Sequence, residues 1–278
     1  MHVMPFFSRN FNKPGPGVDK DEPRKKGAAR FVELIARDLW ELVKLNILFS
    51  LTALPSVAAF LAGFMGFMPD IMLIAAILLS FPIGGGLTAC IYYITKLMRD
   101  DPSFVWYEYR RKFKENFRQA APTGMICTAF VYAHIMIWSS LWVSLLSEQP
   151  ISDITWYIVA LVSLLMFFLI TPYVFLHFAY IDLKSFQAVK NSVLMAFGYF
   201  PRSFMGALLG GIFWIAFALF MPLSLVVFPL IPLIAFTLSM LLNMMWVWPK
   251  FDNHFSIEET LIKRVDDELE AQEEPHSE

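Results

Sequence analysis

Lysine, arginine, aspartate and glutamate are missing from five long stretches of this 278-residue chain. None of them interrupts residues 45–69, 71–95, 119–147 or 154–181, and a fifth gap runs from 203 to 249. A helix needs about 20 apolar residues to cross a bilayer, so the first four gaps read as one span each and the last as two. A chain that is 57% hydrophobic is outside the soluble globular range, and it reads as an all-α polytopic membrane protein. Cysteine is scarce too. Cys90 and Cys127 lie in different spans and read as small apolar core residues, not as a disulfide framework. GxxxxGK[ST], HExxH, CxxC and paired-histidine spacings are all absent, so neither ATP hydrolysis nor metal chemistry has a motif, and no cofactor or nucleic-acid partner is expected.

The charges that do occur alternate between loops. The segment before the first span carries Arg24, Lys25, Lys26, Arg30, Arg37 and Lys44, whereas the next loop carries only Asp70. Arg99, Arg110, Arg111, Lys112, Lys114 and Arg118 follow span two, and only Glu148 and Asp153 follow span three. Lys184, Lys190 and Arg202 follow span four. Basic loops mark the cytoplasmic side, so this alternation predicts six spans, paired as three hairpins, in the cell membrane with both termini cytoplasmic. A five-span topology, with Pro222, Pro229 and Pro232 in a re-entrant loop, is the competing arrangement. Residues 1–29, polar and rich in Pro, Gly and Lys, are expected to be disordered, and no cleavable signal peptide is expected. Residues 30–250 form the membrane domain, and residues 251–278 form an acidic cytoplasmic tail.

Between the spans lie amphipathic segments. In SFVWYEYRRKFKENFRQ, Trp106, Tyr109, Phe113 and Phe117 recur at helical spacing, with Arg111, Lys114, Glu115 and Arg118 away from that stripe. Phe186, Val189, Val193 and Phe197 recur at the same relative spacing after span four, and Lys190 corresponds to Arg110. A weaker copy, Ile262, Val265 and Leu269, follows the last span. The chain therefore reads as three units, each of two spans and one cytoplasmic amphipathic helix, repeating over about 80 residues. Such helices suit the headgroup layer and equally suit docking to a partner protein. The lead-in FVELIARDLWELVKL belongs with them.

Inside the spans, FPIGGG places Pro82 before Gly84, Gly85 and Gly86, which predicts a kink or break that either lines a cavity or admits a neighbouring backbone. Gly206 and Gly210 are spaced for a close helix contact. Asn46 and Asn243 suit hydrogen bonds between helices, as do the lone histidines His134 and His177. Absent intramembrane charge argues against an ion-coupled transporter.

LVKLNILFSLTALPSV and FPIGGGLTACIYYITKLMRDDPSFVWYEYRRKFKENFRQ resemble the YesL family of predicted bacterial integral membrane proteins. Asn46, Pro55, the Gly-rich turn at Gly84 and Gly85, and Ala89 carry the likeness, with Lys114, Asn116, Phe117 and Gln119. It is best over about 42–123; Gly86 departs from it, standing where the family often has proline. The family has no established activity, and its members are often encoded beside carbohydrate ABC importers. The resemblance thus implies association with a transporter.

Three classes of function remain. A non-catalytic accessory or scaffolding subunit suits the missing chemistry, with the bilayer and a transporter subunit as its partners. Arg110, Arg111, Lys112, Lys114 and Lys190 would be its contacts. A facilitator for a small neutral solute suits the repeats and the broken second span. A membrane enzyme would lack a nucleophile, a metal site or an acid pair.

Overall fold

The structure is a computed structural model that describes residues 24–101, 103–147, 154–181, 183–219 and 234–273. Among these residues there are nine helices and no strands. They are α1 (Gly27–Phe64), α2 (Pro69–Leu78), α3 (Phe81–Met98), α4 (Val105–Leu146), α5 (Ile154–Tyr180), α6 (Ser185–Gly198), α7 (Phe200–Leu219), α8 (Phe236–Phe255) and α9 (Ile257–Glu273). Three helices among the described residues, α1, α4 and α5, are long and apolar enough to cross a membrane, and the number is five only if each of the bent pairs α2–α3 and α6–α7 is one span. The protein is a membrane protein on this evidence of length and composition. The last expected hairpin, with Pro222, Pro229 and Pro232, falls largely at 220–233, outside the described residues.

The amphipathic lead-in runs into the first span without a break. α1 is 38 residues long, and its one departure from helical backbone is at Asp38, not at Pro55, which sits exposed within the helix. The helix starts at Gly27, so the close of the segment expected to be disordered is ordered; residues 1–23 lie outside the described residues. At the other end of α1 the chain reverses through Gly66, whose φ of +91° is open to a residue without a Cβ. Gly66 and Phe67 donate back to the carbonyls of Gly63 and Ala62 at 3.0 Å and close the helix.

The second span is broken, but earlier than FPIGGG suggests. α2 and α3 meet at 45° around Leu79 and Ser80, and Pro82 lies in the first turn of α3, where its missing N–H is not needed. The three glycines are helical and buried. Their use is close approach: a Cβ on Gly84 would stand 2.0 Å from the Ala120 carbonyl oxygen, and one on Gly124 would stand 2.3 Å from the Gly84 nitrogen. α3 is thus the central helix, buried from Ile83 to Leu97 over most of its length and packed most extensively on α4. Around it Leu42, Leu45, Ile91, Tyr173, Phe175, Leu241 and Phe251 form one core drawn from α1, α3, α5 and α8. Phe251 and Ile257 are buried, so the expected tail from 251 begins inside the core.

α7 rests on α8 through the predicted glycine pair. Cβ atoms on Gly206 and Gly210 would meet the Asn243 carbonyl oxygen at 3.1 Å and the Asn243 Cβ at 3.0 Å. Asn46 is fully buried, and its Oδ1 accepts the Thr237 N–H at 2.9 Å, satisfying a first-turn amide of α8.

The repeat is uneven in three dimensions. The first amphipathic segment is continuous with span three in the 42-residue α4, which carries Pro122 internally. The second is a separate helix, α6, bent 100° from α7. Gly198 and Pro201 bracket that bend, and Tyr199 between them leaves helical backbone at φ −112° and ψ 34°.

Candidate functional site

The basic end of the bundle is organised around Asp100. This residue follows the last turn of α3 in left-handed backbone, φ 62°. Arg30 Nη2 lies 2.7 Å and Arg24 Nε 3.1 Å from its carboxylate, and Arg37 bonds to it as well. The same arginines donate to the carbonyls that end α3: Arg37 to Leu97 at 3.1 Å, Arg30 to Met98 at 3.0 Å and Arg24 to Arg99 at 2.8 Å. Cations at a helix C-terminus satisfy those orphan carbonyls and oppose the negative end of the dipole. Arg24 also pairs with Glu258 at 2.7 Å, which ties α9 into the cluster.

Burial alone would raise the Asp100 pKa, but donors from Arg30 and Arg37 outweigh it and hold the carboxyl below the usual range. A depressed folded value makes the contribution full above the unfolded value of about 3.9. It is lost as pH falls through the lower folded value. The melting temperature of Asp100→Asn in detergent is therefore expected to sit below that of the parent at neutral pH. The gap should close as pH drops below about 4. A gap unchanged by acid would remove Asp100 as the centre of this cluster.

A second cluster lies one turn inward. Lys96, 9% exposed, and Glu108, 6% exposed, pair at 2.9 Å between α3 and α4. Arg111 joins Glu108 and reaches the Tyr92 hydroxyl at 3.1 Å. Lys112 pairs with Glu115 at 2.9 Å and lies over the Tyr92 ring at 4.7 Å. Buried Arg99 sits between the rings of Tyr180 and Trp248, at 5.5 and 5.6 Å.

These pairs sort the expected contact residues. Arg111 and Lys112 are engaged within the protein. Arg110, Lys114 and Arg118 are exposed, make no ion pair among the described residues, and stand four residues apart along one ridge of α4. The aromatic stripe is divided as well. Tyr109 is buried and shares a hydrogen bond with Thr52 at 2.5 Å, Phe113 lies against Gly85, and Phe117 meets the Phe81 ring edge-on at 5.7 Å. Trp106 is 62% exposed. The packed face of α4 is rotated away from it because Glu108 and Asn116 are drawn inward.

On α6 the buried residues are the small or slender ones, Ala188, Ser192, Met195 and Ala196, and of the predicted apolar stripe Phe186, Val189 and Phe197 are exposed while Val193 is half-buried. Phe186 and Lys190 are both exposed. Ser185 Oγ donates to the Gln119 carbonyl at 3.0 Å, and beside it an open cleft of about 460 Å³ is lined by Gln119, Lys184, Ser185 and Gln187.

The histidines are held by neighbours. His134 Nδ1 is 2.8 Å from the Phe130 carbonyl, and Nε2 is 3.0 Å from Ser163 Oγ on α5. His177 Nδ1 lies 2.7 Å from the Tyr173 carbonyl and 3.1 Å from Ser192 Oγ. Among the described residues no group of His, Cys, Asp and Glu is placed to hold a metal ion.

Lys96, Asp100, Glu108 and Gly124 were not singled out by the sequence reading. Ala120 and Gly124, small residues four apart, were a legible packing signal. The Lys96–Glu108 pair had none, since its residues fall on different helices. Comparison of the chain with family models, with curated proteins and with solved structures finds no match in any of the three.

Proposed function

We propose that the chain is a non-catalytic accessory or scaffolding subunit of the cell membrane, whose basic ridge on α4 meets an acidic surface of a partner membrane protein. The observation that carries this reading is the ridge itself: among the described residues Arg110, Lys114 and Arg118 have no ion-pair partner, while their neighbours Arg111 and Lys112 pair with Glu108 and Glu115. Rigid support comes from the inner side of the same helix, locked to α3 by Lys96–Glu108 and by the glycine contact. Such a ridge sets encounter rate and register more than raw affinity. The alternation of loop charges supports a cytoplasmic position for it, in a six-span topology. The resemblance to the YesL family makes a carbohydrate ABC importer the partner to try first.

The test is copurification from native membranes with the parent and with Arg110→Glu, Lys114→Glu and Arg118→Glu combined. The parent is expected to retain a stoichiometric transporter subunit, and the reversed ridge is expected to lose it and impair the linked uptake. Insertion is checked separately, because inner bases also set topology. With Cys90 and Cys127 replaced, a cysteine at Asp70 should react with an impermeant thiol reagent from outside, and one at Lys190 should not. Passage of a neutral sugar through liposomes holding only this protein would replace the accessory reading with a facilitator.

A further inference from the structure

α6 is held close to the ends of two apolar helices. Residues 181–184 join it to α5, and Tyr199 alone separates it from α7. Its 100° turn from α7 lays it across the direction of that helix, so it cannot continue the crossing. That placement suits a helix lying at the level where the spans leave the hydrocarbon.

The outward face of α6 is apolar. Phe186 is 81% exposed, and Leu194 and Phe197 are more than half exposed on the same side. Lys190 projects from among them, where a four-carbon stem can lie on apolar surface while the ammonium reaches the polar layer. Residues 183–219 contain Lys184, Lys190 and Arg202 and no Asp or Glu. All three bases are exposed and make no ion pair among the described residues. Asp182, outside the described residues, is the acid nearest in sequence, and α6 itself carries none. An apolar face carrying such a positive charge is complementary to a surface that offers acyl chains and phosphates together.

We infer that the outer face of α6 is a docking surface for anionic phospholipid in the adjacent leaflet. Phe186, Leu194 and Phe197 enter the acyl boundary, and Lys184, Lys190 and Arg202 hold headgroup phosphates. This does not depend on the partner reading of α4, since the two surfaces lie on different helices.

The test uses the full chain in nanodiscs of phosphatidylcholine mixed equally with phosphatidylglycerol. Cys90 and Cys127 are replaced by Ala, and a fluorophore is attached through Leu194→Cys or, as a second position, Phe186→Cys. Trace brominated phosphatidylglycerol is expected to quench both labels more than brominated phosphatidylcholine does, with little quenching by aqueous iodide. Lys190→Gln is expected to reduce that preference by about fivefold at most, the effect of one base near an anionic surface. Equal quenching by the two brominated lipids would overturn the anionic preference. Strong iodide quenching at both positions would overturn the docking itself and leave the face open to water for a protein partner.

Discussion

Gly84→Ala is expected to destabilise the protein more than any other single added methyl group described above. The new Cβ would stand 2.0 Å from the Ala120 carbonyl oxygen and 2.6 Å from its carbon, so α3 and α4 would have to separate. Neither obstacle is a side chain that can swing aside. Overpacking of a close-packed core costs on the order of 3 kcal/mol at the upper end of its usual range, and here roughly 10 °C in melting temperature. Gly124→Ala should behave alike, since its Cβ would meet the Gly84 nitrogen at 2.3 Å and Cα at 2.5 Å. Gly210→Ala provides the graded comparison. Its nearest neighbours, Asn243 Cβ at 3.0 Å and the Ser239 carbonyl oxygen at 3.1 Å, need move by only tenths of an ångström. Thermal unfolding in detergent should therefore rank Gly210→Ala well above Gly84→Ala and Gly124→Ala. A Gly84→Ala protein as stable as the parent would mean that α3 and α4 do not touch backbone to backbone.

Glu108→Leu is the second large effect expected. It leaves Lys96 buried without its 2.9 Å carboxylate and frees Arg111 from the same partner. Removing one member of a buried pair costs about 3–5 kcal/mol through the charge left behind, and the half-exposed Asp101 carboxylate, 3.4 Å from Lys96 Nζ, holds the loss near the lower end. Lys96→Met should cost less, because Glu108 keeps Arg111. The combination Lys96→Met with Glu108→Leu should recover much of the loss, since two apolar side chains of similar volume suit that site. The coupling from the double-mutant cycle is the measurement. If the double variant is no more stable than Glu108→Leu, the two charges do not interact and the helix contact rests on packing alone.

Both effects arise where α4 meets α3, and that contact shows where sequence reading stops. The periodicity of Trp106, Tyr109, Phe113 and Phe117 made a helix legible, and α4 contains it. It did not reveal which side packs, because rotation about the axis is decided by the neighbour. Lys96 draws Glu108 inward, and the turned helix carries Trp106 out into exposure. The separate amphipathic helix expected after span two is instead the first third of α4, which runs on through Pro122 and Gly124 without a break. Charge counting likewise put five bases on one contact surface. Two of them, Arg111 and Lys112, face Glu108, Glu115 and Tyr92, a neutralisation that a list of loop charges cannot contain.

Properties carried by one segment were determined by the sequence alone. The long charge-free stretches specify apolar helices because an unpaired charge in hydrocarbon is costly and only a helix satisfies the backbone there within a single segment. Gly206 and Gly210 announce a close contact because their spacing alone puts two bare patches on one face. Properties that need two segments were decided only by the tertiary structure. Asn46 holding the Thr237 amide, Gly84 backed by Ala120 and Gly124, and three arginines meeting Asp100 join residues from segments far apart in the chain. Their pairing depends on distance and direction in space, and helical periodicity specifies those only within a single helix.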